Sequence, residues 1–363
     1  MRILVVTGSS GGHLFPAVSF LESLKGIKPD VKVLLVLPKI GVKPKILPEG
    51  CQVQYISITP IGARLNSKNL VSFLRFFKGS FESLILLIRF KPDIVAGFGS
   101  IDSIPLIIFA WIFRLKTIIH EQNVIPGKAN KLLAKFVDKV AVSFNETKDY
   151  LNISPSRIVV TGNPLRSFIK KAGKKEALNY FGFDEGKFTI LVAGGSQGSH
   201  NINIAFLDAI SHLADNNLQV IHLSGEKDRS LLESGYKNLK VRAKVFSFFE
   251  EMQYAYSAAD LIICRAGATT IAELVELALP AIIIPYPFAY AHQLQNSKVL
   301  EKAGTAIVIN DNELGSGILQ ERIELLLHDL TKLENMRLGY RGIAKVQADA
   351  ALVKETLLLL GVA

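Results

Sequence analysis

Two apolar runs, Ile3-Leu4-Val5-Val6 and Ile190-Leu191-Val192, each stop at a glycine-rich polar loop, and helical periodicity follows each loop. Continuous β-branched apolar residues suit a parallel strand covered on both faces, so each run predicts a buried strand leading into a helix. From the first loop, Gly8-Ser9-Ser10-Gly11-Gly12-His13, the pattern predicts a helix from Leu14 to Leu24 and strands from Val31 to Leu37 and Val53 to Ile58. An amphipathic stretch comes next, then strands at 94–96, 117–119, 139–142 and 158–160. From the second loop, Gly194-Gly195-Ser196-Gln197-Gly198-Ser199, it predicts helices at 202–213 and 271–279 and strands at 219–223, 240–246, 261–264, 281–284 and 305–309. Such alternation predicts an α/β protein with doubly wound parallel sheets. A break at Gly162-Asn163-Pro164, followed by the lysine-rich segment Lys170 to Lys175, predicts domains over 1–163 and 164–342.

At 363 residues the chain has room for two cores, and 49% hydrophobic content is ample for both. Cys51 and Cys264 stand alone without metal-ligand or disulfide spacing, which fits a reducing compartment. The opening apolar run is too short for a signal peptide and lacks a small-residue cleavage site, so it reads as the first strand of a cytosolic fold. The net charge of +10 leaves nucleic acid, anionic lipid or a polyanionic small substrate open. Between Arg64 and Lys91 six basic residues face one acid, Glu82. On a helical wheel Leu70, Phe73, Leu74 and Phe77 share a face flanked by Lys68, Arg75 and Lys78, which fits a membrane-surface helix or an ordinary helix covering a sheet. The apolar stretch from Ile104 to Phe113 is too short to span a bilayer.

Glycines in the two loops let backbone amides approach a ligand, and a helix start behind them favours negative charge. Neither loop fits the dinucleotide fingerprint G-x-G-x-x-G with an acid after the second strand. The first strand pair ends in Leu37-Pro38-Lys39, and the second loop has the wrong spacing although Glu226 follows its second strand. Gly182 to Lys187 falls short of a P-loop and lacks its hydroxyl, so hydride transfer and ATP hydrolysis are poorly supported. More specific are the blocks at other strand ends: His120-Glu121-Gln122-Asn123, Gly162-Asn163-Pro164-Leu165-Arg166, Arg265-Ala266-Gly267-Ala268-Thr269-Thr270 with Glu273, and His292-Gln293 with Asn296. With Gly11-Gly12-His13 and Gly194 to Gly198 they span nearly the whole chain. Through these blocks, in this order, the sequence resembles the MurG family of bacterial N-acetylglucosaminyltransferases.

The resemblance implies a GT-B fold, two doubly wound Rossmann-like domains facing across a cleft, with residues 343–363 forming a closing helix that returns to the first domain. It implies that Ser10, Gly11, Gly12 and His13 hold the acceptor diphosphate and that His13 is the general base, its other readings being a helix cap or a phosphate ligand. Glu121 is the rival base. On the donor side it implies Asn123 on sugar hydroxyls or the N-acetyl group, Arg166 on the leaving diphosphate, and Ser196 and Gln197 on the phosphates and sugar. Asn203 stands at the matching downstream position. Phe249 and Met252 would border the uracil, Ala268 and Thr269 would supply amides, Glu273 would accept the ribose hydroxyls, and His292 and Gln293 would meet the N-acetylglucosamine. Thr270-Ile271-Ala272-Glu273 also reads as a capping box. The family's membrane-facing patch matches the helix bearing Phe73 and Phe77, together with Trp111. Two positions depart from the family pattern: Ser100-Ile101-Asp102 replaces Gly-Gly-Tyr, and Ala291 stands where many relatives carry an acid.

The implied reaction is inverting transfer of GlcNAc from UDP-GlcNAc to undecaprenyl-pyrophosphoryl-MurNAc-pentapeptide (lipid I). The implied place is the cytoplasmic face of the bacterial inner membrane, held peripherally at an anionic surface. No protein-bound cofactor or metal is expected, because no D-x-D pair stands at a relevant strand end; a divalent cation could accompany the acceptor diphosphate. Other cell-wall synthesis proteins are candidate partners, and nucleic acid is not. The alternatives are a GT-B transferase for another lipid or small acceptor, a UDP-GlcNAc epimerase, and a catalytically idle surface scaffold.

Overall fold

The computed structural model describes residues 1–8, 10–40, 44, 47–58, 67–213, 217–288, 292–343 and 347–362, with backbone alone at 67–71, 73 and 316. It divides into two compact units, Met1–Ser167 with Val346–Ala363 and Phe168–Lys345. The Gly162-Asn163-Pro164-Leu165-Arg166 block therefore packs with the first unit, although all of it beyond Asn163 falls in the second by sequence expectation.

The first unit holds strands β1 (Arg2–Val6), β2 (Lys32–Pro38), β3 (Cys51–Ile56), β4 (Ile94–Gly97), β5 (Lys116–Glu121), β6 (Lys139–Val142) and β7 (Ile158–Val160). They form a parallel sheet in the order β3-β2-β1-β4-β5-β6-β7, with Ile3 in register with Val33 on one side and Ile94 on the other. Its helices are α1 (Gly11–Ile27), α2 (Ser67–Phe90), α3 (Ile104–Ile112) and α4 (Lys128–Leu133). Side chains alternate along β1, so Ile3 and Val5 enter one core with Leu14, Phe20 and Leu21 of α1, while Leu4 and Val6 enter the other with Leu106 and Ile107 of α3. Both faces are thus filled, which is why these strands read as unbroken apolar runs.

In the second unit the strands are β8 (Phe188–Ala193), β9 (Leu218–Leu223), β10 (Arg242–Phe246), β11 (Leu261–Cys264), β12 (Ala281–Ile283) and β13 (Ala306–Val308), ordered β10-β9-β8-β11-β12-β13 and all parallel. The helices are α5 (Lys174–Phe181), α6 (His200–Ser211), α7 (Arg229–Asn238), α8 (Met252–Ala258), α9 (Ala268–Leu277), α10 (His292–Lys302), α11 (Ser316–His328) and α12 (Leu330–Gly339). A last helix, α13 (Ala348–Leu359), packs on α1 of the first unit and adds Leu352, Val353 and Leu357 to its core. In each sheet the order reverses beside the first strand, between β1 and β4 and between β8 and β11. Crossovers leave in opposite directions there, opening a crevice at the strands' carboxyl ends.

His222 of β9 is completely buried at the centre of a polar network. Asn203 of α6 donates from Nδ2 to the Ser224 carbonyl (2.8 Å) and Asp228 Oδ2 (2.8 Å), so its Oδ1 accepts from His222 Nε2 (2.9 Å), and Tyr236 of α7 donates to His222 Nδ1 (2.6 Å). Burial lowers the pKa of His222 from 6.5 to about 3, against the pull of Asp228. The unfolded chain therefore takes up a proton below 6.5 that the folded chain refuses, and stability present above that pH is lost as the pH falls towards 3. Replacing His222 with Gln should flatten the stability-versus-pH curve between pH 6 and 4 by up to about 1.4 kcal/mol per pH unit. Denaturant unfolding at several pH values measures this, and slopes equal to the parent's would refute the assignment.

Candidate active site

In the first unit, three loops meet at the carboxyl ends of β1, β4 and β5. Ser10 precedes α1 as its N-cap without a side-chain capping bond, and the helix geometry leaves the Gly11 and Gly12 amides without intrahelical acceptors. A Cβ on Gly12 would face open space apart from Ser10 Oγ at 3.9 Å, so the backbone is accessible to a ligand there. His13, on the first turn, is half-buried, and its ring is closely held: a Cβ at Gly8 would lie 3.1 Å from it and one at Gly99 3.0 Å. Gln122 Oε1 lies 3.0 Å from His13 Nδ1. Beside them Ser100 adopts φ +72°, and its hydroxyl donates to Asp102 Oδ2 at 2.7 Å. Burial raises the Asp102 carboxyl above the usual carboxylate range, opposed by the Ser100 hydrogen bond and the charge of His13.

Glu121 is not a base in this arrangement. It is 2% exposed. Its Oε1 accepts from the amide (2.9 Å) and Nδ2 (3.3 Å) of Asn123, and its Oε2 from the Gly127 amide (3.0 Å) and Asn130 Nδ2 (2.8 Å). Four donors fill both oxygens, so this carboxylate shapes the turn and holds Asn123 and the start of α4. Arg166, expected in the second unit, packs with the first, its guanidinium over the Phe15 ring of α1 at 4.7 Å.

In the second unit a cleft of about 550 Å³ lies at the reversal between β8 and β11. Gly194 through Asn201, Arg265, Gly267, Thr270, Tyr286 and Gln293 line it. Ser196, Gln197 and Gln293 therefore come together as expected, with exposed side chains at 196 and 197. The loop's shape depends on close backbone approach: a Cβ on Gly198 would lie 2.0 Å from the Ser224 carbonyl, and one on Gly225 2.2 Å from the Gln197 carbonyl. Gln293 Oε1 accepts from the amides of Ala266 (3.1 Å) and Tyr286 (2.9 Å), so a bond to a ligand would have to come from its Nε2. His292 is half-buried at the start of α10. Ala291 lies outside the described residues.

Arg265 is a cleft residue whose role the sequence pattern does not reveal. Its Nη2 donates to Ser199 Oγ (2.7 Å), and its Nη1 to Asp311 (2.5 Å) and the carbonyls of Ile284 and Pro285. No spacing signal points to Asp311, which stands 46 residues away.

Several other expected donor contacts are buried. Asn203 is completely buried and spends both ends of its amide in the His222 network, so it supports the loop from beneath. Met252 is 8% exposed at the start of α8 and packs inward. Phe249 is half-buried in an aromatic cluster with Phe246 and Phe181. The capping-box reading of Thr270 to Glu273 fails because α9 starts earlier: Gly267 is the N-cap and no side chain caps it. Glu273 instead accepts from the Tyr256 hydroxyl at 2.6 Å, 4% exposed. Ala268 and Thr269 form the first turn of α9, whose amides are available there.

The amphipathic reading of α2 is also revised. Its sheet-facing side is Gly79, Ser83 and Leu87, where a Cβ on Gly79 would lie 2.3 Å from Ile58. Leu74, Phe77, Phe81 and Ile88 form a second apolar stripe, each more than half exposed, with Arg75 and Lys78 exposed between them. On α3, which packs against α2, Trp111 is 48% exposed and meets Phe136 edge-on at 5.0 Å. Lys68, Leu70 and Phe73 lie on α2, but their side chains are outside the described set. No helix among the described residues is long and apolar enough to cross a membrane.

The family model for the glycosyltransferase family 28 N-terminal domain matches residues 3–142, and that for the family 28 C-terminal domain matches 189–351. The chain belongs to glycosyltransferase family 28. Within this family it is 37% identical over 98% of its length to the UDP-N-acetylglucosamine--N-acetylmuramyl-(pentapeptide) pyrophosphoryl-undecaprenol N-acetylglucosamine transferase of Thermodesulfovibrio yellowstonii, covering 97% of that protein. It is 38% identical to the protein of the same name from Halothermothrix orenii, with 97% of each chain covered. The crystal structure of Acinetobacter baumannii MurG superposes with a TM-score of 0.76 at 24% identity over 98% of both chains, which identifies the fold as GT-B.

For this family 28 chain the interlocked loop predicts unequal glycine substitutions. Gly198→Ala, at φ +74° and in collision with Ser224, should destabilise the second unit more than Gly195→Ala, which at φ +100° meets nothing within 4 Å and carries only strain of about 1–3 kcal/mol. Thermal unfolding of the two variants compares them; equal losses would refute the interlock.

Proposed function

We infer that this chain is an inverting UDP-GlcNAc-dependent N-acetylglucosaminyltransferase that glycosylates the MurNAc 4-hydroxyl of lipid I, giving lipid II for peptidoglycan. The observation that carries the reading is its full-length kinship with transferases of that name. The lipid-linked diphosphate would lie on the open start of α1, where Gly11 and Gly12 offer amides. UDP-GlcNAc would enter the cleft of the second unit, its phosphates at the starts of α6 and α9, both positive dipole ends.

In the reaction the 4-hydroxyl oxygen attacks the anomeric carbon of GlcNAc as His13 accepts the hydroxyl proton, and the bond from that carbon to the UDP oxygen breaks with its electrons going to UDP. A single displacement inverts the anomeric centre. Charge on the departing diphosphate is met by helix-start amides, with Arg265 holding Ser199 and Asp311 in place beneath them. Tyr256 orients Glu273, whose carboxylate is assigned to the ribose hydroxyls on the match of its motif.

The donor is soluble and the acceptor lipid-anchored, so the protein is assigned to the cytoplasmic membrane face. The outer stripe of α2 would enter the headgroup region while Arg75 and Lys78 meet anionic lipid.

Purified protein with labelled UDP-GlcNAc and a lipid I analogue should form labelled lipid II, and no transfer under conditions of UDP binding would sink the assignment. His13→Ala should lower kcat at least about 100-fold with UDP affinity unchanged. In flotation with anionic vesicles, a Phe77→Ser/Phe81→Ser double variant should bind more weakly than its parent; equal binding would remove the stripe as the contact.

A further inference from the structure

Gln122 is 1% exposed, yet its amide does more than fill a hydrogen-bond quota. Its nitrogen end lies 3.3 Å from the Phe98 carbonyl and 3.2 Å from the His120 carbonyl. Carbonyls only accept, so that end of the amide is Nε2 and cannot be turned round. The third neighbour agrees. His120 Nε2 is 2.9 Å from the Gly162 carbonyl and so carries a hydrogen, which leaves Nδ1 as the acceptor for Gln122 Nε2 at 3.1 Å. The oxygen end, Oε1, then faces His13 Nδ1 at 3.0 Å. An amide oxygen only accepts, so His13 Nδ1 must be the protonated nitrogen.

We propose that Gln122, oriented by His120 and the Phe98 carbonyl, is a positioning residue that locks His13 in the tautomer with a protonated Nδ1 and a basic Nε2. The proposal deepens the reading of His13 as the base and rests on it. In the other tautomer two lone pairs would face each other across a 3.0 Å gap, and the ring lies close to the backbone at Gly8 and Gly99. Burial keeps His120 neutral, its pKa lowered from 6.5 to about 4, so its Nδ1 stays an acceptor throughout the neutral range. The charge of His13 acts to lower the pKa of both Asp102 and His120, so these two titratable groups lie within its electrostatic reach. A neutral amide in this position aligns the ring without binding the proton that the base must release after each turnover.

The test starts with the unaltered protein. Nitrogen-15 histidine correlation spectra at neutral pH should show His13 with a proton on Nδ1 and a bare Nε2, and Gln122→Met should turn this into a tautomer mixture. In steady-state kinetics Gln122→Met should lower kcat about tenfold or more with KM for UDP-GlcNAc little changed. Gln122→Glu should raise the acid limb of the kcat/KM pH profile by about one pH unit or more, because a neighbouring carboxylate favours the imidazolium. A proton on Nε2 in the parent protein, or an unmoved pH limb in Gln122→Glu that remains folded by circular dichroism, overturns the proposal. If the tautomer is as stated but His13→Ala retains full kcat, the assignment of His13 as base fails and takes the catalytic role of Gln122 with it. An Nε2–H tautomer alongside an inactive His13→Ala removes the role of Gln122 alone.

Discussion

A parallel sheet whose strand order reverses has one place where neighbouring crossovers diverge, and there the backbone cannot close over itself. In both units the chemistry-bearing loops hang from that place: the turns after β1 and β4 in one, after β8 and β11 in the other. A helix starts after a short loop following each of β1, β8 and β11, so unsatisfied amides collect where a ligand can reach them. Glycine is needed at these corners because neighbouring loops touch, as at Gly198 and Gly225 against Ser224 and Gln197. The apolar strands beneath are the support; their filled faces fix where the corners stand.

Within those corners, hydrogen-bond saturation separates residues that shape the site from residues that can act in it. Glu121 and Asn203 are polar and stand in or just after motif blocks, yet every donor or acceptor direction the structure shows is already used by the protein. A carboxylate held by four donors is an architectural clamp. Ser196 and Gln197 carry exposed side chains on a backbone fixed by contacts elsewhere, which is the arrangement that spends ordering entropy before a ligand arrives.

The strands were legible in the sequence because burial on both faces makes a parallel strand continuously apolar; β6, β7 and β11 coincide with their expected limits at 139–142, 158–160 and 261–264. Helices were less so. The run around Ile104 was too uniformly apolar to show a period, and α5, α7 and α8 are short with polar outer faces. The site was legible as blocks and poorly as contacts. Glu273 looked like a cap because local spacing cannot reveal that the helix begins at Ala268, and its partner Tyr256 lies on another helix. Arg265 could not be assigned because Ser199 and Asp311, its partners, are brought together only by the sheet. On α2 the wheel found an apolar face, but two such faces exist and only the packing of Gly79 on Ile58 shows which one is inside.

The return of α13 to α1 gives the chain an order of assembly. Residues 168–345 form a unit whose every strand and helix is contiguous in sequence, so it can close as soon as it leaves the ribosome. The first unit cannot. Its core holds Leu352, Val353 and Leu357, and until they are synthesised the face of α1 that they cover is exposed apolar surface. The segment made first is therefore completed last, and a nascent chain stalled late in synthesis would carry a finished second unit beside an unfinished, adhesive first one.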